Sequence, residues 1–224
     1  GHHEQPAVNV RLLVRAGASS DPAGTPGIAA MAAQLLDQGT TTRSAQEIAR
    51  QIDYVGGVLA VGAASDLSFV NTVVMSDSFD LALDLLSDVA RHPAFSATEL
   101  ERQRQQVLSG MQVSYDDPGY LASVVFNRLV YGFHPYGMPH NGTPESVRAI
   151  GREELVTFHV AHYMPNNAVL AIVGDVTAQE AFAGAERALG DWARGDLPQA
   201  PTDEAPAPTR RLIVVDRPGA VQTA

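Results

Sequence analysis

The stretch Ile28-Ala29-Ala30-Met31-Ala32-Ala33-Gln34-Leu35-Leu36 decides the fold, because its side chains are apolar on nearly every face and Gln34 alone among them is polar. Ala, Leu and Met are strong helix formers. Pro26 stands just before the stretch and Gly39 just beyond it, the asymmetry of a helix start and a C-terminal cap. A helix that is apolar all round has to be enclosed on most sides. The segments around it supply the enclosure. Residues 8–14 (Val-Asn-Val-Arg-Leu-Leu-Val) read as a strand ending at Arg15-Ala16-Gly17. Downstream, Ser44 with Glu47 three residues later predicts a capping box at the head of a second helix running to Gly56-Gly57. Residues 58–64 and 66–75 predict two strands joined by a turn near Ser65-Asp66, a hairpin that rules out an all-parallel sheet.

Beyond the hairpin the pattern turns helical. Helices are predicted over 78–91, where Phe79, Leu83 and Leu86 share a face, and over 96–115, opened by Ser96 and Glu99 as another capping box. A further helix spans 119–131, an aromatic loop follows at Phe133-His134-Pro135-Tyr136-Gly137, and two short helices cover 144–149 and 152–163. Val169 to Val173 then reads as a strand, and Thr177 with Glu180 opens a helix through Leu189. This is an α+β pattern, with sheet interleaved with helix pairs.

The chain has 224 residues, at ~100–200 residues per domain enough for one large domain or one domain with an appendage. From Ala193 to Thr209 it turns rich in Pro, Ala and Asp, a stiff linker rather than core. Arg210 to Asp216 resembles a fresh strand. The expected division is therefore a domain at 1–192, a Pro-rich linker at 193–209 and, at 210–224, the first strand of a second, homologous domain. Charge narrows the partners: 25 acidic residues against 15 basic ones give a formal charge of −10, unfavourable for nucleic acid and for anionic lipid surfaces. All the basic residues are Arg, so lysine Schiff-base and P-loop chemistry are absent from these residues, and the lack of cysteine removes disulfides, thiolate catalysis and thiolate metal sites. No run approaches the ~18 apolar residues that membrane insertion requires. The N-terminal Gly1-His2-His3-Glu4 has no signal-peptide character. The chain reads as a fragment trimmed at both ends, which leaves the compartment, periplasm or cytoplasm, open.

Six blocks in order carry a resemblance. They are Arg15-Ala16-Gly17 with Asp21-Pro22; Pro26-Gly27-Ile28-Ala29 leading to Gly39-Thr40-Thr41; Tyr115-Asp116-Asp117-Pro118; His134-Pro135-Tyr136-Gly137 with Gly142-Thr143-Pro144-Glu145-Ser146; Phe158 to Tyr163 with Pro165-Asn166-Asn167; and Val173-Gly174-Asp175-Val176. Their order and spacing resemble the insulinase/pitrilysin family of zinc peptidases, which includes the mitochondrial processing peptidase. The resemblance implies a mixed, mostly antiparallel sheet of about six strands covered on one face by helices. It also implies a helix of pattern H-x-x-E-H, in which two His bind zinc, the Glu is the general base and a distant Glu is the third ligand. Here that helix reads Ala30-Met31-Ala32-Ala33-Gln34. The positions of the first His, the base and the second His hold Ala30, Ala33 and Gln34, and the distant Glu falls at Gly110. Neither methyl groups nor a glycine can coordinate zinc, and a neutral carboxamide cannot take a proton from water. On the strand that pairs with substrate backbone in active relatives, Ala60 and Val61 stand near an Asn-Ala of the family.

The resemblance therefore implies a non-catalytic subunit or domain that helps enclose an unfolded peptide beside a zinc-bearing partner of the same family, with zinc expected only in that partner. Two alternatives stand beside it. One is a structural scaffold, like the core subunits of respiratory complexes; the other is a metallopeptidase with a rearranged metal site drawn from His134, His140, His159 and His162. The i, i+3 pair His159 and His162 invites that last reading, while core packing is the plainer one. Asp116-Asp117 before Pro118 reads as the end of one helix and the cap of the next rather than a catalytic pair. Met31 and Leu35 read as core. Gln34 and Asp37, one turn apart, are the makings of a weak cation site that lacks a third ligand.

Overall fold

Alternation along Ala7–Val14 (β1) puts Val8, Val10, Leu12 and Val14 inside while Asn9 and Arg11 face out, so one face of the strand builds core. The structure, a computed structural model, describes residues 5–199, 207, 210 and 212–216. Within them β1 is flanked on both sides, by Ser68–Met75 (β3) and Ala168–Gly174 (β4), and Val58–Ala63 (β2) pairs with β3, giving the order β2-β3-β1-β4. All three ladders are antiparallel; Arg11 stands opposite Asn71 on one side and Ala171 on the other. The predicted hairpin is present as β2 and β3, with β3 starting at Ser68 rather than 66.

The α+β class holds and the strand count does not: four strands, none of them parallel, stand among the described residues where about six in a mixed sheet were expected. The expectation came from the resemblance, whereas the β-forming runs of residues 5–199 number only four. Residues 212–216, rich in β-branched side chains, are exposed and have no ladder partner among the described residues, and Arg211 and 217–224 of the strand expected over 210–224 lie outside the described residues.

Helices cover the inner face. Ile28–Leu35 (α1) is enclosed as its composition demands, with every residue but Gln34 buried. It packs on β2, on Ala97–Ser114 (α4) and on Arg152–His162 (α7), while Phe79–Arg91 (α3) lies across β3 and β1 with Phe79, Leu83 and Leu86 in the core. Ala45–Tyr54 (α2) opens with the predicted capping box, and so does Ala178–Leu189 (α8), which packs on α3. Pro118–Tyr131 (α5) is capped by Asp117, whose side chain accepts from the Gly119 N–H at 2.8 Å, so Asp117 has its capping role. Pro144–Ala149 (α6) is held by α4: Arg104 donates to the carbonyls of Val147 and Ile150, the latter at 2.8 Å.

Two local readings are corrected. Gly39 is not the cap of α1, which ends at Leu35; its positive φ of 110° turns the chain so that its carbonyl receives the Ala94 N–H and Thr40 bridges to Pro93. Ser96 caps α4 through the Glu99 N–H, but the Glu99 carboxylate is taken by Arg102 at 2.7 Å and the return bond of a capping box is not made. At the start of α1 the chain crosses another loop at very close range. A Cβ on Gly27 would stand 2.6 Å from the Asn141 carbonyl oxygen, and one on Gly142 would run into that of Pro26; both glycines have positive φ, 92° and 80°.

Candidate functional site

The first turn of α1 is prepared from outside the helix. Gly27 at the N-cap has no side chain to offer, and Asp21 fills the role from six residues upstream, accepting from the N–H groups of Gly27 at 2.5 Å and Ala29 at 3.0 Å. Burial pushes the Asp21 carboxyl up to about 7, outweighing those two donors, which favour its charged form.

Along the helix, Ala30 and Ala33 are buried and only Gln34 brings a polar group. Its Oε1 accepts from Gln103 Nε2 of α4 at 2.7 Å, and Gln103 is itself buried. Gly110 lies two turns further along α4, exposed, with open space where a Cβ would stand. The structure thus joins α1 to α4 through a carboxamide pair at Gln34 and Gln103, two turns from Gly110. Asp37, raised by burial, accepts from Gln38 at 2.6 Å, and Gln34 is turned to Gln103, so the two do not form a cation site with each other. The donor set of Ala30, Ala33, Gln34 and Gly110 does not fit zinc: it offers one neutral amide oxygen, already bonded.

The histidines are engaged elsewhere. His159 is buried, stacked on Tyr163 at 4.5 Å and hydrogen-bonded through Nε2 to the Ala90 carbonyl at 2.8 Å; burial pushes its imidazole down to about 4 against that bond. This fixes a neutral ring whose Nε2–H donates to Ala90. His162, also lowered by burial, stacks on Phe158 at 4.4 Å and contacts its carbonyl through Nδ1 at 3.0 Å. His140 reaches the Ala63 carbonyl at the end of β2, 2.8 Å away, and the His134 ring nitrogen accepts from the Tyr136 N–H. Among the described residues no group of three or more His, Asp or Glu is placed to hold a metal ion.

Ala60 and Val61 lie on β2, an edge strand. Ala60 is paired with Asn71 on the outer face of the sheet and Val61 with Val70 on the core side. Sequence reasoning missed three groups, the capping Asp21, Gln103 and Asp88. Asp88 on α3 is buried and accepts from Thr40 at 2.8 Å, Thr42 at 2.9 Å and Arg43 at 2.7 Å. Burial opposes its charge, but the bonds from Arg43, Thr40 and Thr42 outweigh it and hold the carboxyl below its usual range. Asp88 lines a cleft of about 770 Å³ between α2, α3 and α8, where Arg43, Arg91 and Arg187 are each paired with an aspartate.

Comparison with known proteins places this geometry. The family model for Insulinase (Peptidase family M16) matches residues 2–134, and that for the Peptidase M16 inactive domain matches residues 149–224. The chain is 35% identical over 177 residues to an uncharacterised zinc protease of Mycobacterium leprae, covering 79% of this chain and 40% of that protein. It is 32% identical over 196 residues to one of Mycobacterium tuberculosis, covering 87% and 45%. The crystal structure of a peptidase M16 inactive domain from Pseudomonas fluorescens superimposes with a TM-score of 0.82 at 30% identity, covering 88% of this chain and 48% of that one. A protease from Helicobacter pylori shares the fold at a TM-score of 0.83 and 22% identity, covering 90% and 50%. The chain spans less than half the length of these curated relatives. By the match across residues 2–134 and the fold that carries it, the chain belongs to the insulinase family, peptidase family M16.

Proposed function

We propose that this chain is a non-catalytic domain of an insulinase-type peptidase assembly, one that helps enclose and bind an unfolded peptide beside a zinc-bearing partner of the same family. The observation that carries the reading is the side-chain set on α1, where Gln34 is bonded to Gln103 of α4 beside Ala30 and Ala33, with Gly110 at the distant ligand position. No group there can bind zinc or activate water. The edge strand β2, with Ala60 and Val61, offers unpaired backbone to an extended peptide, and the acidic balance of the chain suits basic peptides. We assign the peptidase-like domain to residues 1–192, a linker to 193–209 and the opening strand of a homologous second domain to 210–224.

The test is made on the purified chain and on its complex. Elemental analysis is expected to find no stoichiometric zinc and a casein digest no chelator-sensitive cleavage, while affinity purification from the native host recovers a family member bearing an intact H-x-x-E-H helix. One tightly held zinc per chain defeats the non-catalytic reading. Recovery of a membrane complex in place of a peptidase partner favours a scaffold.

A further inference from the structure

We infer that the cleft between α5 and residues 135–141 is a docking site for an uncharged, proline-bearing stretch of extended peptide. The inference takes from the enclosing role only that the ligand is a peptide; a chain found to hold zinc would defeat that role and leave this binding to be measured on its own. The cleft has a volume of about 400 Å³, and all its lining residues lie between Ala18 and Asn141, so it is built wholly inside the chain. One wall is a single face of α5, where Tyr120, Ser123, Val124, Asn127 and Tyr131 recur at helical spacing. The facing wall is the segment that carries Pro135, Tyr136 and Pro139.

That second wall is held before any ligand arrives. The Tyr136 hydroxyl donates to Asp66 at 2.7 Å and its ring meets Tyr131 edge-on at 5.7 Å, while His140 Nε2 bonds the Ala63 carbonyl at 2.8 Å, at the end of β2. Walls fixed in this way lower the ordering cost of binding. What they present is aromatic and polar but not ionic: among the described residues no Arg, Asp or Glu lines the cleft, in a chain with 25 acidic residues. Asn127 and Asn141, both exposed, bring amide donors, and Tyr120 and Tyr131 bring hydroxyls. A proline-rich segment is the complement of that set. Its rings are apolar and suit tyrosine faces, its prolines have no N–H to satisfy, and its carbonyls take the donors. A basic or acidic segment finds no counter-charge here. Length agrees as well: from Tyr120 to Tyr131 the α5 face runs about 16 Å at 1.5 Å per residue, which is about five residues of polyproline II helix at 3.1 Å each. A Pro-x-x-Pro unit spans it, and because that helix is already formed in the free peptide, docking orders little.

Isothermal titration of the 224-residue chain with a blocked hexaproline peptide is expected to give a dissociation constant on the order of 10–100 µM. A blocked Gly-Ser peptide of equal length, flexible and without rings, is expected to bind about tenfold more weakly or not at all. Tyr131→Ala removes a ring at one end of the cleft and is expected to abolish measurable binding. Asn127→Ala, at an exposed position that folding does not need, is expected to weaken it about fivefold, the worth of one hydrogen bond, and it keeps the test readable should Tyr131→Ala fail to fold. Phe126→Ala, 63% exposed on α5 and outside the cleft, is expected to leave binding unchanged. Hexaproline that binds no better than the Gly-Ser peptide overturns the proposal, as does binding indifferent to Asn127→Ala or lost on Phe126→Ala. A chain that takes maltotriose in this cleft and ignores hexaproline overturns it too, in favour of a saccharide.

Discussion

Gly110 sits in the interior of α4, exposed, with nothing within reach of a side chain's first atom. A glycine there costs helix stability and no neighbour requires it, since its φ lies outside the left-handed range. Gly110→Ala is therefore expected to stabilise the chain by about 0.5–1 kcal/mol in urea unfolding; a loss of stability would reveal a packing role that the open space denies. The contrast with Gln34 shows how far single residues could be read in advance. Gln34 was legible because the resemblance to an H-x-x-E-H helix sets it at the position of the second His. Its partner Gln103 was not, since a carboxamide pair between helices 69 residues apart leaves no local signal. Asp21 is a similar case: capping normally comes from the residue beside the helix, and here the donors are met from across a loop.

At the level of elements, what was local came through and what was tertiary did not. The boxes at Ser44 and Glu47 and at Thr177 and Glu180 are closed three residues apart, so the sequence alone contains both partners. The box at Ser96 failed because Arg102, on the same helix, competes for Glu99. Gly39 was misread because its turn serves a bridge to Pro93, far along the chain. The strand order with β1 between β3 and β4 rests on pairings that no short window contains. Asp88 is the clearest tertiary tie, fastening the Thr40–Arg43 segment between α1 and α2 onto α3. Asp88→Ala leaves Thr40 and Arg43 short of an acceptor. Because Arg43 keeps Asp84 as a partner and some contact with water, the expected loss is about 2–3 kcal/mol rather than the full cost of a stranded buried charge, read as a shift of the denaturation midpoint. An effect below about 0.5 kcal/mol, the usual limit for surface positions, would mean that the segment is held by other contacts.

For the whole molecule, the buried ionisable groups set opposing pH limits. Asp21, raised to about 7, contributes stability that is complete below its unfolded value near 3.8 and is lost as pH rises through about 7; Asp37, raised by burial, acts in the same sense. His159, depressed to about 4, contributes stability present above 6.5 that is lost as pH falls through about 4, and His162 adds to it. The two slopes oppose each other between roughly pH 4 and 6.5, and above that only the carboxyl slope remains. Urea midpoints are expected to fall between pH 6.5 and 8, and Asp21→Asn to flatten that fall; a parent that gains stability over the same interval contradicts the assignment. The crossing of Gly27 and Gly142 carries a different consequence. One turn before Ala30, the same helix is entered at a residue that cannot accept even a methyl group. The seat of this helix therefore tolerates far less substitution than the side chains it displays, and a replacement at Gly27 would unseat the whole element where one at Ala30 would not.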